Sequence, residues 1–474
     1  MQAFTDAIAA HKANNLGAAE LLYRQVIGED PEHFEAANNL GTIAIQRRRH
    51  DEAIHYYQEA LAVKPDYGIA YSNMAAALVN MGYYAAALPY CKCAYELIPD
   101  NVPALVNLSD ALVALARFEE AAAVATHALT LHPAFPDALV NLGIASWGLG
   151  DRTKAKQLLS QAANQDPALF AARGIDLARK NLGILALAEY DFDNGWTNYE
   201  ARFDIDKIPR RYNAYPQWDG SANGNGRLVV VAEQGLGDEL LYLTMLKDVA
   251  DRFQGEVIWE MDTRLIPFVR TFLTLPGNVV PMQRRLMHVA KFDDGADKAT
   301  YRIDIASLGK FFRRQLSDFP KPVEPLYQTI SMGPKRIGVS WRSVNMMGGI
   351  DKSIPLSEFI GLLDQPNEYV SLQYGATPEL SGHYASIEKP KFDARYDIVA
   401  LAYLIQSCEH VVTVSNTTAH LAGILGVPTT VLLNKNMGRY WYWGNDYTTP
   451  WYPKTRIVRR NDRPWAEILS KLTI

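Results

Sequence analysis

The chain has 474 residues and 48% hydrophobic content, a length that implies about three domains with enough apolar side chain to pack their cores. Its 47 basic and 52 acidic residues leave a net charge of -5, which excludes the basic footprint of a nucleic-acid binder. The three cysteines point to a reducing compartment: Cys91 and Cys93 fall on different faces of one expected helix and Cys408 is remote, so neither a disulfide framework nor a zinc site follows. At the N-terminus Ala7, Ile8, Ala10 and Leu16 are interrupted by Asp6, His11 and Lys12, a pattern that reads as part of a folded domain rather than a secretion signal. No stretch reads as a membrane span, and a cytoplasmic location is expected.

Proline recurs every 34 residues at Pro31, Pro65, Pro99, Pro133 and Pro167, and alanine keeps the same beat at Ala19, Ala53, Ala87, Ala121 and Ala155. A second alanine repeats at Ala60, Ala94, Ala128 and Ala162. Small residues let two helices of one unit approach closely, and proline, lacking an N–H, stops the second helix. The lattice resembles the tetratricopeptide repeat, a helix-turn-helix unit, and implies an α-solenoid over 1–204 with five regular pairs and one capping pair.

Asparagine marks one position of the first helix in each unit: Asn39, Asn73, Asn107, Asn141 and, after a short insertion, Asn181. In the family this position faces the concave groove, and similar ladders in eukaryotic-type O-GlcNAc transferases hold an extended peptide by its backbone. An amide offers both a donor and an acceptor, so it suits that task. The alternative is that each asparagine bonds a neighbouring helix, and both readings stand. The flanking positions Thr42, Ala76, Asp110 and Ile144 are mixed and do not select an acidic tail. Arg47, Arg48 and Arg49 read as a solvated turn.

After Pro167 the lattice decays into a capping pair that ends in GWTNYEARF (195–203), where aromatics replace the small residues. A Gly-, Asn- and Pro-rich linker over 205–226 follows. Short β-branched runs then alternate with amphipathic stretches, the pattern of parallel α/β units. Strands are expected at 227–232, 256–261 and 301–307 in a first Rossmann-like half over 227–333. Others fall at 335–341, 368–374, 410–415 and 428–433 in a second half over 334–474. A ligand is expected at the strand C-terminal ends between the halves.

Three segments there carry candidate chemistry. In VAEQGLGDELL (231–241) a strand runs through Gln234 and a tight turn at Gly235 and Gly237 into a helix whose first turn holds Asp238, either as an N-cap or as a functional acid. In SWRSVNMMGGIDKSIPL (340–356) a strand ends in Arg342 and Ser343, and Lys352 precedes a helix; cations there suit a diphosphate leaving group, and a solvated lysine is the bland alternative. In VTVSNTTAHLAGILGVP (412–428) Ser415, Asn416, Thr417, Thr418 and His420 converge on a helix N-terminus, which favours a phosphate.

Together these segments, with RIDIASL, DKSIPL, AHLAGILGVP and WYWGNDYTTPWYP (441–453), resemble bacterial tetratricopeptide proteins with a C-terminal glycosyltransferase domain related to the lipopolysaccharide heptosyltransferases. The resemblance implies a glycosyltransferase-B fold and transfer from a nucleotide sugar without metal or other cofactor. It implies Asp238 as the base, Lys352 as a phosphate contact, and Thr417, Thr418 and His420 as the donor-phosphate loop. Two positions depart from the family pattern: Ser415–Asn416 where many relatives read Asp-Thr, and Tyr442 where many read Arg, with Arg439 near enough in sequence to replace that cation. Asp-x-Asp pairs at Asp191/Asp193 and Asp204/Asp206 lie outside the α/β halves, so no metal site is expected. The expected partners are a nucleotide sugar and a protein acceptor held by the repeats, flagellin or another surface protein by resemblance, with oligomerisation through the repeats left open. The alternatives are a lipopolysaccharide or capsule sugar transferase and an inactive scaffold.

Overall fold

The computed structural model describes residues 2–205, 211–222, 226–284, 299–320, 336–343, 352–375, 380, 387–434, 441–444, 447–460 and 463–474. They fall into two compact units, one through Ala178 and the other from Arg179 onward.

The first unit is a helical solenoid of antiparallel pairs: α1 (Gln2–Lys12) with α2 (Leu16–Glu29), α3 (Phe34–Gln46) with α4 (His50–Val63), α5 (Gly68–Asn80) with α6 (Tyr84–Leu97), α7 (Val102–Ala114) with α8 (Phe118–Leu131), and α9 (Pro136–Gly148) with α10 (Arg152–Ala163). The alanines of both lattices are fully buried. At Gly41 a Cβ would stand 2.5 Å from the Tyr57 ring, so the approach of α3 to α4 is set by the missing side chain. Each lattice proline lies just beyond the end of a second helix. The basic turn is not simply solvated. Arg47 and Arg49 both pair with the carboxylate of Glu20, Arg49 at 2.9 Å, and against the opposing cost of burial they join Arg24, at 3.0 Å, in drawing it below the usual carboxylate range.

Helix α11 (Ala172–Ala188) begins in the first unit and ends in the second, where α12 (Phe192–Tyr199) and a 3-10 turn (Glu200–Phe203) follow. The second unit then forms two wholly parallel sheets. The first is ordered β3-β2-β1-β4, from β1 (Arg227–Val231), β2 (Glu256–Met261), β3 (Val279–Gln283) and β4 (Thr300–Asp304). The second is ordered β6-β5-β7-β8-β9, from β5 (Arg336–Ser340), β6 (Glu368–Ser371), β7 (His410–Val414), β8 (Thr429–Leu433) and β9 (Thr455–Arg459). Two of these strands escape sequence reading. Pro281 inside β3 argues against a strand unless it lies at an edge, as it does, and β9 is an edge strand broken by Arg456 and Arg459.

Helices α13 (Leu236–Leu243), α14 (Leu246–Arg252), α15 (Leu265–Phe272) and α16 (Gly309–Phe312) accompany the first sheet. With the second come α17 (Leu356–Leu363), α18 (Ile398–Gln406), α19 (Thr417–Ile424) and α20 (Trp465–Ser470). Part of the Gly- and Pro-rich stretch before β1 is packed: Trp218 is buried, and its backbone N–H donates to the Arg302 carbonyl of β4 at 2.8 Å. In each sheet the strand order reverses once, between β1 and β4 and between β5 and β7. Such reversals open a crevice at the strand C-terminal ends, and all three candidate segments leave their strands there.

Candidate functional site

At the end of β1 the chain turns through Gln234, whose φ of 67° lies in the left-handed region that glycine favours. This corrects the expectation that Gly235 and Gly237 make the turn. Gly235 is extended (φ -100°), and Gly237 is needed for space, because a Cβ there would stand 2.9 Å from the His420 ring. Gln234 is held at both ends: its Nε2 donates to Tyr199 Oη at 3.0 Å, and its carbonyl accepts from Arg284 Nη1 at 2.8 Å. Asp238 reaches back so that its Oδ2 accepts the Gly235 N–H at 3.2 Å, which is a capping contact. Burial nevertheless raises its pKa, against the opposing pull of that N–H and of the Lys352 charge.

The aromatic motif before the linker supports this turn. Arg202 forks onto Glu233 at 2.9 and 2.7 Å, and the same carboxylate accepts the Ala306 N–H past β4. Trp196 donates to the Arg313 carbonyl at 2.8 Å and fills the space above Gly309. Neither contact shows a signal in sequence beyond the unusual density of aromatic and charged residues in 195–203.

In the second sheet a buried polar hub ties β5, β6 and β7 together. Gln373 Oε1 accepts the N–H groups of Trp341 (3.2 Å) and Arg342 (2.9 Å), while its Nε2 donates to the Arg342 carbonyl at 3.2 Å. Asn416 caps α19 by accepting the Ala419 N–H, and its Nδ2 donates to Ser340 Oγ at 2.9 Å and to the Arg342 carbonyl at 3.3 Å. Asn416, expected to meet a donor directly, thus has its amide engaged within the protein, and what it fixes is the backbone of Arg342. Ser415 is likewise occupied, accepting from Trp443 Nε1 at 2.8 Å, and the Ser343 N–H donates to Ser353 Oγ at 3.0 Å. Thr417 is half-buried at the first turn of α19. The Thr418 hydroxyl is buried beside it with no partner among the described residues.

His420 requires the largest correction. Its ring is buried, stacks on Trp443 with centroids 5.1 Å apart, and places Nδ1 3.0 Å from Tyr452 Oη. Burial, with the Lys352 charge adding to it, pushes its pKa down to about 3, so the ring is neutral and supplies no positive charge to a phosphate. Lys352, half-buried, acts electrostatically on both Asp238 and His420 and is therefore a cation of this site. The N-terminal turns of α13 and α19 meet at the Gly237–His420 contact. Arg439 and Asp206 lie outside the described residues, and among those described no cluster of His, Cys, Asp and Glu could hold a metal.

The asparagine ladder spends its donors on stacking. Asn73 Nδ2 donates to Asn38 Oδ1 (2.9 Å), Asn107 Nδ2 to the Ser72 carbonyl (3.2 Å), and Asn141 Nδ2 to Ser109 Oγ (2.9 Å) and the Val106 carbonyl (3.3 Å). Asn39 donates to Tyr23 Oη at 3.3 Å. The helix-to-helix reading therefore accounts for one arm of each amide. The Oδ1 atoms of Asn73, Asn107 and Asn141 accept nothing among the described residues. Asn181 lies in the second unit and is half-buried.

Two tetratricopeptide-repeat family models match the chain, over residues 4–68 and 44–102 and over 112–173. The N-terminal part of the chain is built of tetratricopeptide repeats. Protein FlbA of Caulobacter vibrioides is 26% identical over 311 residues, 59% of this chain and 51% of FlbA, so the chain spans about half the length of that curated relative. Among solved structures, YrrB, described as a TPR protein with an unusual peptide-binding site, is 22% identical with a TM-score of 0.31 and covers 35% of this chain and 85% of its own. MamA is 19% identical with the same TM-score of 0.31, covering 34% of this chain and 87% of its own. No helix among the described residues is long and apolar enough to cross a membrane.

Proposed function

We propose that the chain is a glycosyltransferase of the glycosyltransferase-B type that moves a sugar from a nucleotide sugar to a hydroxyl of a protein acceptor recruited by the repeats. The observation that carries the reading is the meeting of two helix N-termini, those of α13 and α19, at the switch points of two parallel sheets, with Asp238 and Lys352 beside them. Helix N-termini and a lysine favour the diphosphate. A carboxylate whose pKa is raised by burial is suited to take a proton.

In the proposed reaction the acceptor oxygen bonds to the anomeric carbon while the bond from that carbon to the phosphate oxygen breaks. The acceptor proton passes to Asp238, and the leaving nucleotide carries off the electron pair. Charge grows on the leaving phosphate as the bond breaks; Lys352, Arg342 and the first-turn amides of α19 other than Ala419, which Asn416 caps, stabilise it, with Thr417 and Thr418 as hydroxyl donors. Attack opposite the leaving group inverts the anomeric centre. The free Oδ1 row of Asn73, Asn107 and Asn141 supports a peptide acceptor, since carbonyl oxygens accept backbone N–H groups whatever the sequence.

A panel of nucleotide sugars, read by thermal shift and donor hydrolysis, tests this. One donor should stabilise the protein, and Lys352→Ala should weaken that donor by about 1.5 to 3 kcal/mol, as for a lost charge-assisted contact. A flat response to every donor would discard the reading in favour of a scaffold.

A further inference from the structure

Glu239 follows Asp238 in the chain but points the other way, into the rim of the first sheet, where it is 2% exposed. Its Oε2 accepts the Asp262 N–H past β2 at 2.6 Å, and its Oε1 accepts from Arg284 Nη1 past β3 at 3.2 Å. The same Arg284 nitrogen donates to the Gln234 carbonyl at 2.8 Å. One carboxylate thus joins the ends of three strands, and through Arg284 it grips the one residue of the turn whose backbone is left-handed. A non-glycine residue stays in that region only where its surroundings hold it.

We propose that Glu239 is a positioning residue: acting through Arg284, it holds the left-handed turn at Gln234 and so fixes where the Asp238 carboxylate stands. The groups that face it are Asp262 and Arg264 beyond β2 and Arg284 beyond β3. Burial is the largest influence and raises its pKa to about 7, against the opposing pull of the Asp262 N–H and Arg284. With a folded pKa above the ordinary 4.5, the native state binds the extra proton, so ionisation as pH rises through 7 lowers stability rather than adding to it. A carboxylate retained at such a place serves the geometry of the turn at the expense of the fold.

The functional half of the inference rests on the glycosyl-transfer reading; the structural half does not. Glu239→Gln keeps the shape and removes the charge, and its single carbonyl can accept from Asp262 or from Arg284 but not both. Amide exchange at Gly235, Glu239 and Asp262 should quicken about tenfold at pH 8, as for one lost charge-assisted bond. The Tm at pH 8 should stay level or rise. Transfer should lose kcat by a similar factor with donor KM unchanged, and the fall in kcat expected in wild type as Glu239 takes up a proton near pH 7 should be absent from the variant. Arg284→Met should reproduce the exchange and kcat changes, and the double variant should add nothing further. Unaltered exchange at Gly235 in both single variants overturns the proposal, as does a fall in Tm with kcat intact. If the wild-type protein transfers no sugar, the exchange data still decide the strut, and the glycosyl-transfer reading is what fails.

Discussion

The two units use asparagine in contrasting ways. In the repeats Asn73, Asn107 and Asn141 each donate from Nδ2 to the first helix of the unit before, Asn141 to two acceptors there, and the pattern recurs by translation, so its energy is spread along the solenoid. In the α/β unit Asn416 occurs once and gathers β5, β7 and α19 through Ser340, Thr413, Arg342 and Ala419. Repetition makes the first visible in sequence and individually dispensable. Singularity makes the second inconspicuous and costly to lose.

The sharpest contrast is between chemistry and scaffold. Asp238→Asn should lower transfer by about two to four orders of magnitude with donor affinity retained, the usual share of a general base. Stability should stay level or rise, since the variant removes a carboxylate whose pKa burial raises and the amide oxygen can still accept the Gly235 N–H. A variant that unfolds instead would show that the capping contact is the whole role of Asp238. Next in size, Asn416→Ala removes a cap and three further side-chain bonds, with Thr413, Ser340 and the Arg342 carbonyl, and leaves Ser340 short of a partner. Urea titration should show a loss of about 2 to 4 kcal/mol. A loss no larger than that of a single ladder variant would erase the difference between the units.

His420 extends the contrast to pH. Its folded pKa near 3 lies below the ordinary 6.5, so the unfolded chain binds the extra proton between those values. The neutral ring's contribution is complete above pH 6.5 and drains away as pH falls toward 3. Between pH 7 and 5 this amounts to about 2 kcal/mol. His420→Phe should therefore show a shallower acid decline than wild type; His410, also depressed by burial to about 4, remains in both proteins and cancels. Equal slopes would mean that the ring is not buried in solution.

These sites differ in how far sequence reveals them. The repeats are legible because their contacts are near in sequence and recur, so Ala53 or Pro65 is read five times over. The strand-end turns are legible because Gly235, Asp238 and the Ser415–His420 run leave composition signals at helix starts. What stays hidden is the partner across the fold. Arg202 supports Glu233, Gln373 fixes Arg342, and Arg284 joins Glu239 to Gln234, each through residues distant in the chain. The neutrality of His420 is hidden for the same reason, because Trp443 and Tyr452 enclose it only after β8 and β9 have folded beside β7.

The smallest expected effect separates the two arms of the ladder. Asn107→Asp keeps an acceptor where Oδ1 now stands and removes the Nδ2 donor that reaches the Ser72 carbonyl at 3.2 Å. Losing that bond costs about 0.5 to 1.5 kcal/mol, and the new carboxylate faces a carbonyl oxygen, which adds to the loss. Asn107→Ala removes both arms without that added loss. If the groove holds a peptide through the free oxygens, the aspartate should retain acceptor binding that the alanine loses, although the aspartate is the more destabilised of the two. Should the two variants bind the acceptor alike, the ladder belongs wholly to the stacking of repeats, and acceptor recognition must be sought at other side chains of the solenoid.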